Sequence, residues 1–373
     1  MEIVVNTRLL IKNKLEGIGW FSYETLKRIT NQHKEHHFIF LFDRYFDEEF
    51  IFSENITPIV LSPQARHPFL YYIWFEYSVN SILKKLKPDL FLSPDGYLSL
   101  SSKVKSLAVF HDLNFEHYPK DLPWLERKYY RYYFPKFAKK ACRIATVSEY
   151  SKNDINKLYN IPKSKIDVVY NGANEKYTPL QENEKIETRE KYSGSKEYFL
   201  FVGALHPRKN LTNLFKAFDD FKRNYSSDTK LLIVGNKKWW TYEIRKTYEN
   251  MQFKDDVIFC GRLSTEDLHK VIASALALTY VSYFEGFGIP VVEAFYCNTP
   301  VITSNVTSLP EIAGDAALIV DPFSVSQISD AMMKIAKDEN LRSNLISKSN
   351  IRKKEFSWQK SSEKLWASIE KCF

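Results

Sequence analysis

Two glutamates eight positions apart, Glu285 and Glu293, bracket a Gly-Phe-Gly turn and a proline in FEGFGIPVVEAFYCNTP, residues 284–300. A strand, a tight turn and a buried helix would explain the glycines and the apolar residues, but not the two acids. Backbone N–H groups at a helix start, reinforced by the helix dipole, attract phosphate. Gly286 and Gly288 let the backbone come close to a ligand, and Pro290 suits the first helical turn. The EGFGIP turn therefore reads as a phosphate cradle with Glu285 at its lip, near whatever the phosphate carries. Glu293 lies about one turn into the helix. Its side chain points back toward the helix start, within reach of a hydroxyl such as a sugar or ribose presents. A second segment, GALHPRKN from Gly203 to Asn210, follows an apolar run and precedes a helical pattern. Arg208 and Lys209 would then stand at the carboxyl end of the same sheet, where parallel α/β sheets bind ligands. Two cations there balance a diphosphate and stabilise it as a leaving group. Alone, an Arg-Lys pair reads as a solvated basic turn; beside the two glutamates, the binding role is favoured.

The framework around these residues consists of short apolar runs, each followed by a helical pattern. EIVVN, HHFIFLF, DLFLSP, SLAVFHD, RIATVS and DVVYNG occupy the first half, and YFLFVGAL, KLLIVG, DVIFCG, ALTYVS, PVITS and AALIVD the second. Such alternation predicts parallel sheets covered by helices on both faces. Between them ANEKYTPLQENEKIETREKYSGSKE is polar and lacks apolar periodicity. The expected organisation is a first domain over 1–172, a connection over 173–196 with room for one short helix, a second domain over 197–357, and a terminal helix over 358–373. Trp358, Leu365, Trp366 and Ile369 recur at helical spacing; by themselves they predict a helix packed on its own domain.

A chain of 373 residues suits two domains. Lys and Arg outnumber Asp and Glu, 53 to 45, a balance that favours phosphate-bearing or acidic partners. Cys142, Cys260, Cys297 and Cys372 show neither metal-like nor redox-like spacing and read as reduced, mostly buried residues of a cytoplasmic protein. No secretory signal opens MEIVVNTRLL, and no apolar run approaches the ~18 residues that span a bilayer. His33, His36 and His37 read as a loop before a strand rather than a metal site. Neither a GxSxG elbow nor a GxGxxG after the first strand is present, which argues against a hydrolase and a dehydrogenase. Aromatic and basic residues mix at 67–87 and 122–143. The plainer interpretation is helices that bury their aromatics; the alternative is a surface resting on an anionic membrane. Nucleic acid is disfavoured, since no RRM, KH or helix-turn-helix signature accompanies the mixture.

The segment 284–300 resembles the E-x7-E signature of the family 4 retaining glycosyltransferases, and VITSNVTSLPEIAGDAALIVDP resembles its usual sequel. VGALHPRKNL, NKLEGIGWFSYETL, VFHDLNFEHYP, TVSEYSKNDI and VVYNGAN are similar to the family's other segments in order and spacing. Within the family the chain looks most like bacterial mannosyltransferases of polysaccharide assembly. The resemblance implies an α/β GT-B fold: two Rossmann-like domains, donor on the second and acceptor on the first, with the final helix crossing back to the first. It implies that Glu285 contacts the transferred sugar, Glu293 the ribose, and that the amides of Phe287, Gly288 and Ile289, with Gly286, hold phosphate. Arg208 and Lys209, after Gly203, would neutralise the diphosphate. Gly17 and Gly19 would admit the diphosphate and acceptor, His111 would lie beside the donor sugar, and the backbone at Arg262 and Leu263 would meet the base. The implied reaction retains configuration and needs neither metal nor cofactor. Its partners are a nucleotide-sugar donor, GDP-mannose foremost, and a glycan or lipid-linked glycan acceptor. The protein would be cytoplasmic, with room for peripheral contact on the inner face of the cytoplasmic membrane. A UDP-sugar donor, a nucleotide-sugar epimerase and a non-catalytic nucleotide-binding subunit are the alternatives. Glu16, Trp20, His206 and Asn298 depart from the family's usual residues; the first two leave the acceptor open.

Overall fold

Among the described residues, the twelve apolar runs and one further segment form thirteen parallel strands in two sheets. A computed structural model describes residues 1–225, 227–236 and 240–373. The chain divides into two units, residues 1–172 with 357–373 and residues 173–356.

In the first unit the strands are β1 (Glu2–Asn6), β2 (His37–Phe42), β3 (Ile56–Val60), β4 (Leu90–Ser93), β5 (Ser106–Phe110), β6 (Arg143–Thr146) and β7 (Ile166–Val168). Their spatial order is β3-β2-β1-β4-β5-β6-β7. Strands β4 and β5 are buried along their whole length, as sheets covered on both faces require. Strand β3, absent from the apolar runs named above, carries Pro58 opposite Phe40. Proline cannot donate to a ladder, and β3 accordingly sits at the sheet edge.

In the second unit β8 (Tyr198–Val202), β9 (Lys230–Val234), β10 (Val257–Gly261), β11 (Ala277–Tyr280), β12 (Val301–Ser304) and β13 (Leu318–Val320) pair in the order β10-β9-β8-β11-β12-β13. The order reverses direction between β8 and β11, whose residues Ala277 and Leu278 pair with Phe199 and Leu200. In such sheets the crevice at the reversal is where ligands bind. The helix Leu211–Asn224 covers one face with Leu214, Phe215, Phe218 and Phe221, all buried.

Residues 173–196 are not a bare connection but part of the second unit. They carry the helix Glu182–Ser193, which starts in a reciprocal capping box between Gln181 and Glu184 and ends at Gly194. This helix has little apolar periodicity to read because polar contacts hold it: Arg189 Nε donates to Ser274 O at 3.2 Å and Lys191 pairs with Asp267 at 3.0 Å.

The last helix, Trp358–Glu370, belongs to the first unit. The interpretation from periodicity alone, a helix on the domain just before it, is therefore corrected. Ser357 caps it, and Trp358 and Trp366 are both buried. Trp366 stacks on His33 at 3.6 Å, Trp358 lies edge-on to Phe21, and Lys371 reaches Asp167 at 2.7 Å. The chain comes so close here that a Cβ on Gly172 would fall 2.3 Å from the Trp358 nitrogen. Among the described residues no helix is long and apolar enough to cross a membrane.

Candidate functional site

Strands β8 and β11 are neighbours, so the loops that leave their carboxyl ends meet although about 75 residues separate them in sequence. After β8, Pro207–Lys209 make a single 3-10 turn, ended by Asn210 in a left-handed conformation. The Asn210 side-chain amide donates to Val281 O at 3.0 Å and to Pro322 O at 2.6 Å. The Tyr283 amide donates to Arg208 O at 2.9 Å. These bonds fix the basic turn against the loop that follows β11.

Glu285 is buried, and its carboxylate is fully engaged. Oε2 accepts from Arg208 Nη1 at 2.7 Å; Oε1 accepts from Lys209 Nζ at 2.5 Å and from the Tyr280 hydroxyl at 2.9 Å. Lys209 also donates to the Tyr280 hydroxyl at 2.5 Å. Burial alone would raise the Glu285 carboxyl, but the Arg208 and Lys209 cations outweigh it and hold it at about 2. Burial and the Glu285 charge push the Tyr280 phenol upward, so it stays a donor. The backbone of the same loop is clamped by Ser308, whose hydroxyl donates to Glu285 O at 2.9 Å and Phe287 O at 3.1 Å.

Gly286, Phe287 and Gly288 make the turn into the helix Ile289–Tyr296. Gly288 takes φ 106°, and a Cβ there would meet Leu309 Cδ2 at 2.7 Å. Only glycine suits this position, which leads directly into the first helical amides at Ile289. Phe287 is buried and packs edge-on to Phe356. Glu293 lies on the same helix, and burial pushes its carboxyl up to about 7, with the Tyr177 hydroxyl as its neighbour. The two acids thus differ: Glu285 is locked in the charged form, and Glu293 is poised to titrate.

Gly203 follows β8 and Gly235 follows β9, while Gly261 ends β10. Gly203 N donates to Val234 O and Gly235 N to Gly261 O, at 2.9 and 2.8 Å. A Cβ on Gly235 would lie 1.8 Å from Gly203 O, so the strand ends draw together only because Gly235 lacks a side chain. Arg262 and Leu263 follow at the same carboxyl end, before the Ser264 cap of the next helix.

The structure places Gly17, Gly19 and His111 on the first unit. Gly17 and Gly19 form the first turn of the helix Gly17–Gln32; a Cβ on Gly19 would sit 3.2 Å from Leu9 O. His111 leaves β5 with Nε2 donating to Pro94 O at 2.8 Å, and burial lowers its pKa, which keeps Nδ1 as an acceptor. At the reversal of this sheet, between β1 and β4, lies a polar cluster that the sequence did not disclose. Arg8 pairs with Asp95 at 2.6 Å, Asn6 donates to Asp95 at 2.7 Å, and the Arg8 guanidinium lies over Tyr97 at 4.5 Å. Tyr280, Tyr177 and Ser308 were likewise unread. For Tyr280 a signal existed, a hydroxyl in the otherwise aliphatic run ALTYVS.

The basic aromatic segments resolve into two faces. Trp74, Phe75, Tyr129, Phe134 and Phe137 are buried, as the plainer interpretation expects. Phe69, Tyr72, Leu125 and Tyr132 are exposed and, with Lys128 and Arg131, line a groove of about 870 Å³.

Residues 16–177 match the family described as Glycosyltransferase Family 4, and residues 182–352 match Glycosyl transferases group 1. The chain is 28% identical to the O-antigen chain mannosyltransferase B of Escherichia coli, over 94% of each chain. It is 32% identical to the O-antigen chain mannosyltransferase RfbU of Salmonella typhimurium, over 75% of this chain and 74% of the relative. Among solved structures, Anabaena Alr3699/HepE in complex with UDP and glucose superposes with a TM-score of 0.76, at 14% identity and over 99% of both chains. The two Rossmann-like parallel-sheet units are those expected of the GT-B fold.

Proposed function

The chain belongs to glycosyltransferase family 4, a mannosyltransferase-like member, and from that premise we propose that it transfers mannose from GDP-mannose, with retention, onto a growing bacterial glycan. The observation that carries the transferase reading is the Arg208–Glu285–Lys209 arrangement at the reversal of the second sheet, beside the Gly288 helix start. The choice of mannose rests on the names of the two O-antigen relatives.

In the proposed mechanism the donor diphosphate takes Arg208 and Lys209 as its partners, together with the amides of Phe287, Gly288 and Ile289. The cations that Glu285 neutralises in the free protein are thereby handed to phosphate, and the freed carboxylate meets the sugar hydroxyls. As the anomeric carbon gains oxocarbenium character, negative charge grows on the leaving diphosphate, where the two cations stabilise it. A phosphate oxygen takes the acceptor proton on the face the leaving group vacates. Glu285 and Glu293 are thus not a general acid and base pair, in contrast to glycosidases. Glu293 accepts from the ribose hydroxyls. His111 is assigned to the donor sugar, and Gly17 and Gly19 to the diphosphate and acceptor. Because two side-chain cations supply the charge, the reading expects turnover to persist in a chelator. The exposed aromatic groove of the first unit is proposed as a peripheral contact with an anionic membrane bearing a lipid-linked acceptor.

A thermal-shift panel of GDP-, UDP- and ADP-sugars tests the donor, because a ligand that binds only the native state raises the melting temperature. A shift selective for GDP and GDP-mannose, followed by transfer to a mannan acceptor, is expected. A UDP-selective shift keeps the transferase and replaces the sugar. Turnover of the sugar nucleotide without acceptor would favour an epimerase, and binding without any turnover a non-catalytic subunit.

A further inference from the structure

We infer that Cys142 and Cys372 form a reversible disulfide that fastens the last helix to the first sheet, an oxidation site for peroxides or low-molecular-weight disulfides. The two free thiols stand 230 positions apart in sequence, yet their Sγ atoms lie 2.7 Å apart. Bond formation therefore needs almost no backbone movement, the condition that most cysteine pairs fail. Both residues sit on anchored backbone. The Cys142 amide donates to Ser106 O at 2.8 Å just before β6, and Lys105 Nζ donates to Cys372 O at 2.9 Å. Arg143 and Lys371 share Asp167, so the chain on either side of the sulfur pair is also tied.

The chemistry divides naturally between the two sulfurs. Either sulfur can donate across the contact, but Cys142 is the less buried of the two; the contact lowers the Cys142 thiol, and the same contact with burial pushes Cys372 upward. Cys142 is then the attacking thiolate and Cys372 the resolving thiol. With hydrogen peroxide, the Cys142 sulfur bonds one oxygen as the O–O bond breaks and hydroxide leaves, giving a sulfenic acid. Cys372 sulfur displaces that oxygen as water and forms the S–S bond. Two thiols lose two protons and two electrons, and the peroxide becomes two waters. Cys260, by contrast, is pushed up to about 11 by burial, and Cys297 is also raised, so neither competes. The bond would close a ring containing the whole of residues 173–356.

The test uses the full chain treated with hydrogen peroxide, then thiol counting, peptide mapping and thermal melting. Expected are the loss of two of the four thiols and a Cys142–Cys372 linked peptide. Dithiothreitol should reverse both, and the oxidised chain should melt at a higher temperature than the reduced one. Cys372→Ser should give no linked peptide and leave Cys142 as a sulfenic acid that dimedone traps; Cys142→Ser should show neither product. Four thiols still alkylatable, a linked peptide joining other cysteines, or equal melting of the oxidised and reduced chains would overturn the inference.

Discussion

Burial raises the Glu293 carboxyl from its ordinary 4.5 to about 7, so folding and proton binding are linked at this one residue. Between these two values the native state holds a proton that the unfolded chain has released, and stability falls as pH rises through about 7. Above both values each state is ionised, and the native state carries the full desolvation cost, about 3 kcal/mol. From about pH 5.5 to about pH 8.5, the part of that cost that appears is about 2 kcal/mol. Glu293→Gln keeps the shape and removes the proton. The stability of the natural chain minus that of Glu293→Gln should therefore fall by about 2 kcal/mol across this interval. The difference cancels other titrating groups, and urea unfolding at the two pH values, followed by second-unit fluorescence, measures it. A carbon-13 NMR titration of the Glu293 carboxyl gives the same information directly, with a midpoint near 7 expected. A midpoint in the ordinary carboxylate range, or a pH-independent difference between the two chains, would show that burial does not hold the proton on Glu293. If the ionised form binds ribose, affinity for nucleoside diphosphate should also weaken as pH falls below about 7.

Glu285→Gln leaves Arg208 and Lys209 without their buried counter-charge, a loss of roughly 3–5 kcal/mol in stability, and should depress turnover more than donor affinity; equal kcat for the two chains would contradict its contact with the sugar. Tyr280→Phe removes the hydroxyl that links Lys209 to Glu285 and should destabilise the second unit by about 1–3 kcal/mol in urea unfolding. Gly288→Ala places a methyl against Leu309 at a φ of 106°; calorimetry should show about 1–3 kcal/mol of lost stability, and calorimetric titration a weaker affinity for GDP. Gly172→Ala drives a methyl into the backbone at Trp358, so limited proteolysis should release the last helix faster than from the natural chain.

The sheets were legible because buried parallel strands are continuous apolar runs, and EIVVN and YFLFV carry that signal without interruption. Strand β3 was not, because Thr57 and Pro58 break the run at an edge where burial is incomplete. The residues Arg208, Lys209, Glu285 and Glu293 were legible from residue type and from glycine spacing. What spacing could not convey is that Glu285 satisfies both cations, since that follows from the β8–β11 adjacency rather than from sequence distance. The opposite charge behaviour of the two acids has the same origin: one is buried with cations, the other beside a phenol. The helix at 182–193 escaped periodicity because its energetics are capping and ion pairs. The seat of the last helix also escaped it, because an amphipathic stripe states that a helix is buried without stating against what. Only the family resemblance pointed to the first unit.

The first unit is discontinuous, and this affects how the molecule is made. Its sheet is finished once residue 168 has been synthesised, but the helix that covers His33 and Phe21 is encoded beyond residue 356. At ribosomal speeds of ~5–20 residues per second, the intervening stretch occupies roughly 10–40 s. Throughout that interval the nascent first unit exposes the apolar face that Trp358, Leu365, Trp366 and Ile369 later cover. The second unit is therefore an insertion whose translation time sets how long that apolar face waits for its cover.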